Sequence, residues 1–588
     1  MSGPRVRPIP LAAGATLLLL HERIGVFMGF QADFGNHGGR WGGPMSFLHI
    51  SDAEFRFFLA HLVLATPGAL LVAWGFRALL EPLALRVRDV VDGAAPPMWT
   101  RAAIAFFAVL LAWSVLGRRV VLFDQAITDD ETAVTFGARM IAAGHLSVPA
   151  LRPAGAFTDL YLHVKDGMVS SCDYPGVLFF AAASLVSRLG SGLYAIASGV
   201  AGVACAYAAK RWMGPRAALL AACIWLVSPM TASLSITTHA HVPSRMFLAI
   251  AFAFAARIDT ATAPRRVDAW VLGLSAGLAT MCRPIEVIAV LAPMIGWLAW
   301  RALRPPDGQA PDRLTPLRIA LGLAPPVLVF AWYNDQITGA FWLQARFAPG
   351  TIAVPVDAHG PWDRLGFNLA FNLIMLAVFF LGIPAIATVA GGLDRRPFLR
   401  ALAAGAILDL SICLAHDNTG IHSVGPIHAQ EMVVPLVLLA TAGTLRGMAW
   451  LAARDVPRAP AANLFGAYLA LGCGLFDVTH LASLRAQALP QLVPPRVLAE
   501  AGVHNAIVLA PEYFRLVRHH PTFAPRGSWV MMYPHPDPFF RDDVIFASNK
   551  ADPAALRARF PDRALWRMTY APDPPILRVA PIQAPASP

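Results

Sequence analysis

The chain has 588 residues, of which 56% are hydrophobic and only 14% charged, with a mean hydropathy of +0.55. That balance excludes a soluble globular protein and calls for a polytopic membrane protein. The net charge of +11 does not point to nucleic acid, because the arginines are spread among short connectors between apolar segments, as in membrane proteins whose basic loops stay inside.

Apolar stretches long enough to cross a hydrocarbon core of about 30 Å as helices recur along the chain. Taken in order they are 10–30, 57–80, 102–123, 193–209, 217–234, 247–256, 269–281, 288–300, 319–332, 367–389, 401–414, 432–445 and 461–476. The fold class is therefore an all-α polytopic membrane bundle of about 13 transmembrane helices. The run 11–20 is followed by His21-Glu22-Arg23 without a small-residue cleavage site, so no cleavable leader is expected. Basic connectors such as Arg86 to Arg101, Lys210 to Arg216 and Arg301 to Arg318 fall on one side, which puts the N-terminus in the cytoplasm. The segment 175–189 is short for a span and is expected as an interfacial helix.

After about residue 477 the apolar runs shorten to strand length, at 506–510, 529–533, 544–547 and 576–579, with a helical stretch at 553–560. A small extracytoplasmic α/β domain is expected at the C-terminus. The division is 1–101 as two additional N-terminal helices with connectors, 102–478 as the membrane core with outer loops 124–174 and 334–365, and 479–588 as the outer domain. Six scattered cysteines form no CxxC pair and no disulfide framework.

Polar residues gather on the outer side. Asp129, Asp130 and Glu131 follow directly on the span 102–123, and carboxylates at a membrane boundary mark a functional site. His239, His241, Arg245, Arg283, Asn334, His428 and Glu431 share that side. A carboxylate beside arginines and histidines suits abstraction of a hydroxyl proton while cations hold a departing phosphate, for which the planar arginine fork is well shaped. Each residue also has a structural reading. Thr128 or Asp129 can cap the following helix, Arg283 can pair with Glu286, and the histidines can serve as loop or headgroup contacts. His416, Asp417, His422, His428 and Glu431 follow no strict metal-ligand spacing, so no metal site is assigned, with a divalent ion as the alternative.

Several motifs then appear in order: Asp130-Glu131 followed by Ala138 to His145, Asp173-Tyr174-Pro175-Gly176, Arg211-Trp212-Met213-Gly214-Pro215-Arg216, Cys282-Arg283-Pro284, and Tyr333-Asn334 with Thr338-Gly339. Their order and sidedness resemble GT-C superfamily integral-membrane glycosyltransferases, which include the protein O-mannosyltransferases and the aminoarabinose transferases. The resemblance implies a GT-C-like bundle in a bacterial inner or plasma membrane. It also implies inverting transfer of a sugar from a polyprenyl-phosphate carrier to a lipid, glycan or protein acceptor at the outer face. It makes Asp130 the general base, with Asp129 and Glu131 beside it, and no nucleotide sugar or cofactor is required. Arg283, Arg245 and His241 are then the candidates for the carrier phosphate. His239, Asp173, Tyr174, Asn334, His428 and Glu431 are the candidates for substrate contacts. The family often has a basic residue before Tyr-Pro, where this chain has Cys172-Asp173. A polysaccharide ligase using a lipid diphosphate, and a lipid or sugar transporter, are the alternatives.

Overall fold

A computed structural model describes residues 6–27, 59–351 except 158–160, 262–264 and 305–311, scattered positions between 365 and 382, then 385–415, 426–454, 459–474, 480–510, 535–572 and 575–583. The expected strand at 529–533, part of the expected span 367–389, and His416, Asp417 and His422 lie outside the described residues.

Helix α1 (Pro8–Phe27) is followed by a single π turn, His61–Ala65, that continues into α2 (Thr66–Gly75) and then α3 (Arg77–Asp92) and α4 (Pro96–Val121). The loop region holds α5 (Asp129–Ala142), strands β1 (Val148–Pro149), β2 (Leu162–Lys165) and β3 (Met168–Ser171), and α6 (Pro175–Val186). The bundle continues with α7 (Ser191–Met213), α8 (Pro215–Val227), α9 (Pro229–Ser235), α10 (His241–Thr260), α11 (Arg266–Cys282), α12 (Pro284–Leu303) and α13 (Leu314–Thr338). After these come α14 (Ile386–Gly392), α15 (Pro397–Ala415), α16 (Val433–Ala452), α17 (Ala459–Cys473), α18 (Leu481–Ala488) and α19 (Val493–Glu500). The chain closes with β4 (Ala506–Ala510), β5 (Val544–Ser548), α20 (Pro553–Arg559), β6 (Ala564–Pro572) and β7 (Pro575–Pro581).

Among the described residues seven helices are long and apolar enough to cross a membrane, α4, α7, α10, α12, α13, α15 and α16, or nine if two bent pairs each count as one span. These helices do not confirm the expected count of about 13, and several of the expected spans are bent or short. The stretch 217–234 bends by 64° between α8 and α9, because Pro229 has no N–H to continue the ladder. The stretch 57–80 breaks by 78° between α2 and α3. Helix α11 has 17 residues and reaches only about 26 Å at 1.5 Å per residue.

Small residues let the helices approach closely, as they do where lipid offers no hydrophobic drive for packing. Gly273 and Gly277 of α11 lie against the Ile319 and Leu323 carbonyls of α13, and Gly322 lies against the Trp270 carbonyl in return. One end of the bundle is held by arginine pairs. Arg257 meets Asp268 at 2.9 Å, and Asp259 is approached by Arg301 and accepts from the Trp212 indole at 2.9 Å.

The opposite end carries the loops and two sheets. The three-stranded sheet is ordered β1-β3-β2 and antiparallel. The four-stranded sheet is ordered β5-β4-β6-β7, with β4 parallel to β5 and β6, and β7 antiparallel to β6. Strand β4 is buried along its whole length, as its unbroken apolar run Ala506-Ile507-Val508-Leu509-Ala510 requires. One face of this sheet, with Ile507, Leu509 and Ile545, shares a core with Phe136 and Met140 of α5 and with Phe157 and Leu162. The sheet is thus seated on the helix that begins with the acidic triplet. Arg139 of α5 meets Asp542 at 3.3 Å across the same contact.

Candidate active site

Helix α5 starts where its sequence provides a cap. The Thr128 hydroxyl accepts from the Glu131 N–H at 3.3 Å, the Ncap-to-N3 pairing that satisfies orphan helix donors. The Glu131 carboxylate is fully engaged. One oxygen accepts from the Ile127 N–H at 2.8 Å, and the other accepts from the Thr238 N–H at 2.8 Å and the Thr238 hydroxyl at 2.7 Å. Arg118 lies 3.9 Å away. Glu131 therefore staples α5 to the turn before α10, and its oxygens are spoken for. Of Asp129 only the backbone, the first residue of α5, is described.

Asp130 is different. Its side chain is 28% exposed, its Oδ2 stands 3.6 Å from His239 Nε2, and its Oδ1 stands 3.7 Å from Arg346 Nη2. Oδ1 accepts no hydrogen bond. Both ring nitrogens of His239 are likewise without a hydrogen-bond partner, and burial holds that imidazole below its usual pKa, so it faces Asp130 as a neutral ring.

Arg346 is the residue that the sequence reading missed as a site residue. It sits on a short 3₁₀ turn, Ala345–Phe347, and its N–H is accepted by Gln344 at 2.8 Å. Gln344 also donates to the Cys172 carbonyl at 2.6 Å, and the turn is further tied to β2 by His163 to Thr351 at 3.0 Å and the Val164 N–H to the Gly350 carbonyl at 3.1 Å. The loop after α13 is thereby laid onto the β2–β3 hairpin, which brings Arg346 against Asp130.

Asp173 follows β3 and is buried, with the Ser171 hydroxyl donating to it at 3.2 Å. Burial pushes its carboxyl up to about 7, opposed by the charge of Arg346 and reinforced by that of Asp130. The cation whose charge bears on this carboxyl most is Arg346. Tyr174 is buried, stacks on Phe330 at 6.3 Å and lies under the Arg283 guanidinium at 6.0 Å.

A second tier lies beside the first. Arg283, between α11 and α12, pairs with Glu286 at 2.6 Å, and its Nε has no partner. His241 Nδ1 is 2.9 Å from Glu431, and its ring stacks on His239 at 5.1 Å. Arg245 turns elsewhere. Its two terminal nitrogens donate to the Met230 carbonyl, the Gln430 carbonyl and the Gln430 side chain, while its Nε has no partner, so it ties α9 to the turn before α16. Asn334 donates to the Phe341 carbonyl at 3.2 Å at the exit of α13. His428 is half-buried on a 3₁₀ turn whose carbonyl accepts from Cys413. The structure thus gathers Asp130, Asp173, Tyr174, His239, Arg283 and Arg346, with His241 and Glu431 adjacent.

The family model described as dolichyl-phosphate-mannose-protein mannosyltransferase matches residues 175–330, about a quarter of the chain. Over that segment the chain resembles the protein mannosyltransferases. The resemblance to GT-C glycosyltransferases expected from the motifs is borne out there, and the segment includes Pro175-Gly176, Arg211 to Arg216 and Cys282-Arg283-Pro284. No curated protein matches the sequence. Among solved structures the chain is similar to ArnT from Cupriavidus metallidurans in the apo state, at 14% identity and a TM-score of 0.49 over 79% of this chain and 93% of that one. ArnT bound to undecaprenyl phosphate gives 14% and 0.48 over 81% and 94%. The apo oligosaccharyltransferase of Archaeoglobus fulgidus gives 14% and 0.37 over 66% and 56%.

Proposed function

We propose that this protein is an inverting glycosyltransferase that moves a sugar from a polyprenyl-phosphate carrier to an acceptor hydroxyl at the outer face of a bacterial inner membrane. The observation that carries the reading is the placement of Asp130, a part-exposed carboxylate with an unpartnered oxygen, between a neutral histidine and an arginine. Asp130 takes the proton of the acceptor hydroxyl as that oxygen attacks the anomeric carbon, and the lipid phosphate departs with the bonding electron pair. Arg346 and Arg283 hold the phosphate oxygens as charge builds on them. Attack opposite the leaving group inverts the anomeric centre. The family match over 175–330 supports the reaction class, and the arginine-rich connectors at the opposite end support an outer location for the site. The C-terminal sheet, seated on α5, would border the acceptor's approach.

The same two arginines also suit a lipid diphosphate donor, the ligase reading. Mass spectrometry of carrier lipids from host membranes incubated with the purified protein and an acceptor extract separates the two. Loss of a monophosphate-linked sugar lipid with appearance of free polyprenyl phosphate supports the proposal. Consumption of a diphosphate-linked lipid favours the ligase, and an unchanged lipid profile sinks both.

A further inference from the structure

Helices α12 and α13 do not close on each other. Helix α12 runs from Arg283 beside the site to the end where Arg301 approaches Asp259, and α13 runs back to Asn334 at the site. The close contacts of α13 are made with α11, where Gly322 lies against the Trp270 carbonyl while Gly273 and Gly277 meet the Ile319 and Leu323 carbonyls. That packing leaves another stripe of α13 without a helix on it. Pro316, Ala320, Ala324 and Leu328, each one turn from the next, line a cavity of about 440 Å³ together with Ile295 and Ala299 of α12. Every lining side chain is apolar.

The depth of this groove fits a lipid chain. Twelve residues separate Pro316 from Leu328, about 18 Å of helix at 1.5 Å per residue, against about 15 Å for half of a hydrocarbon core. The groove is thus one leaflet deep. It lies in the half of the bundle away from the site, since Ile295 and Ala299 stand in the second half of α12 and Pro316 in the first turn of α13. Trp300, half exposed and next to Ala299, marks the level of the membrane interface.

The mouth of the groove carries charge. Arg301 is answered by Asp259, and Arg318 by Asp312 at 3.1 Å. Arg304, which caps the end of α12, and Arg313, which caps the start of α13, are exposed and pair with no carboxylate among the described residues. They stand five residues beyond Ala299 and three before Pro316, within reach of a headgroup at the interface. An apolar groove one leaflet deep that ends at two unanswered arginines matches an acyl chain with an anionic headgroup. The tail of a polyprenyl carrier matches it less well, because its phosphate belongs at the Arg283 end and the groove stops at Leu328, six residues short of Asn334.

We propose that the groove between α12 and α13 binds one anionic phospholipid of the leaflet opposite the site, with an acyl chain along Ala320 and Ala324 and the headgroup phosphate on Arg304 and Arg313. The proposed outer site makes this the cytoplasmic leaflet. The lipid site is separate from the transfer reaction and does not depend on it. The bound lipid bridges two helices whose far ends carry Arg283 and Asn334, and it stabilises the pair by mass action.

The test is native mass spectrometry of the purified, delipidated full chain in detergent. The chain is titrated with dioleoylphosphatidylglycerol or with dioleoylphosphatidylcholine, which has the same chains and no net headgroup charge. Wild type should hold one copy of the anionic lipid about tenfold or more tighter than the zwitterionic one, the scale of two arginines at a headgroup. Arg304→Gln combined with Arg313→Gln should remove that preference and leave the weaker chain binding. Ala324→Phe fills the groove and keeps both arginines, so it should weaken both lipids about tenfold or more. Ala320→Leu, at an exposed position, gives the same reading should Ala324→Phe fail to fold. Equal retention of the two lipids by wild type, a preference that survives the double arginine variant, or full binding in the groove-filled variants would overturn the proposal. Displacement of the phosphatidylglycerol by an equal concentration of short-chain polyprenyl phosphate would give the groove to the carrier instead, and a dimer that excludes both lipids would give it to a second copy of the chain.

Discussion

Replacing Asp130 by Asn separates chemistry from structure at this site. The Oδ1 of Asp130 accepts no hydrogen bond, and its nearest charged groups stand at 3.6 and 3.7 Å, beyond hydrogen-bond range. The amide therefore removes no folding contact, and stability should move by no more than about 0.5 kcal/mol. A positioned general base contributes about 10²- to 10⁴-fold, so turnover should fall by that factor, equivalent to about 3 to 5 kcal/mol of barrier. Glu131→Gln should behave in the opposite way. Its carboxylate accepts from two backbone N–H groups and one hydroxyl, and an amide nitrogen cannot accept from the donors it would face. Losing one or two such bonds to a charged group costs about 1.5 to 3 kcal/mol each. The assay pairs release of free polyprenyl phosphate, followed by mass spectrometry, with thermal unfolding in detergent. Asp130→Asn turning over at the wild-type rate would refute its role as the base. Glu131→Gln that is inactive yet as stable as wild type would move that role to Glu131.

Arg346→Ala should raise KM for the lipid donor about tenfold or more, the scale of one lost charge-assisted contact, and Arg346→Lys should recover only part of it because the fork is lost. Donor titration of initial rates checks this, and an unchanged KM removes Arg346 from the phosphate site. Because the Asp173 carboxyl is raised to about 7, it is neutral below that pH and charged above it. Its ionisation adds negative charge beside Arg346 and opposes an anionic donor, so lipid-phosphate affinity should fall as pH rises through about 7. Asp173→Asn should flatten that step, and a step that persists in the variant assigns it to another group. Gly273→Val would drive a side chain into the Ile319 carbonyl and should cost about 1 to 3 kcal/mol by overpacking. An unchanged unfolding temperature would show that α11 and α13 do not pack this closely.

What the sequence conveyed depends on whether a feature is local. The cap of α5 was readable because Thr128 and Glu131 are three residues apart, and β4 because 506–510 is an unbroken apolar run between polar turns. Strand β6 was not, because Arg567, Thr569 and Tyr570 interrupt its apolar residues, and it is held by pairing with β4 and β7. Apolar length marked the stretch 217–234 as one segment but did not register its bend at Pro229. Asp130, His239 and Arg283 were legible because charge alternation placed their turns on one side. Arg346 was one more arginine in a long loop, and its place is set by the Gln344 contact to Cys172, 172 positions away in the chain.

Asp409 is the instructive case. It lies inside an apolar run that was read simply as a span, yet a carboxylate buried among helices is too costly to persist without a proton or a partner. The position alone was thus a signal. What the run did not convey is its surroundings, which depend on the close packing of α15 on α12 at Gly405 and the Val290 carbonyl. In a membrane bundle the glycines that allow helices to touch determine which residues a buried acid meets.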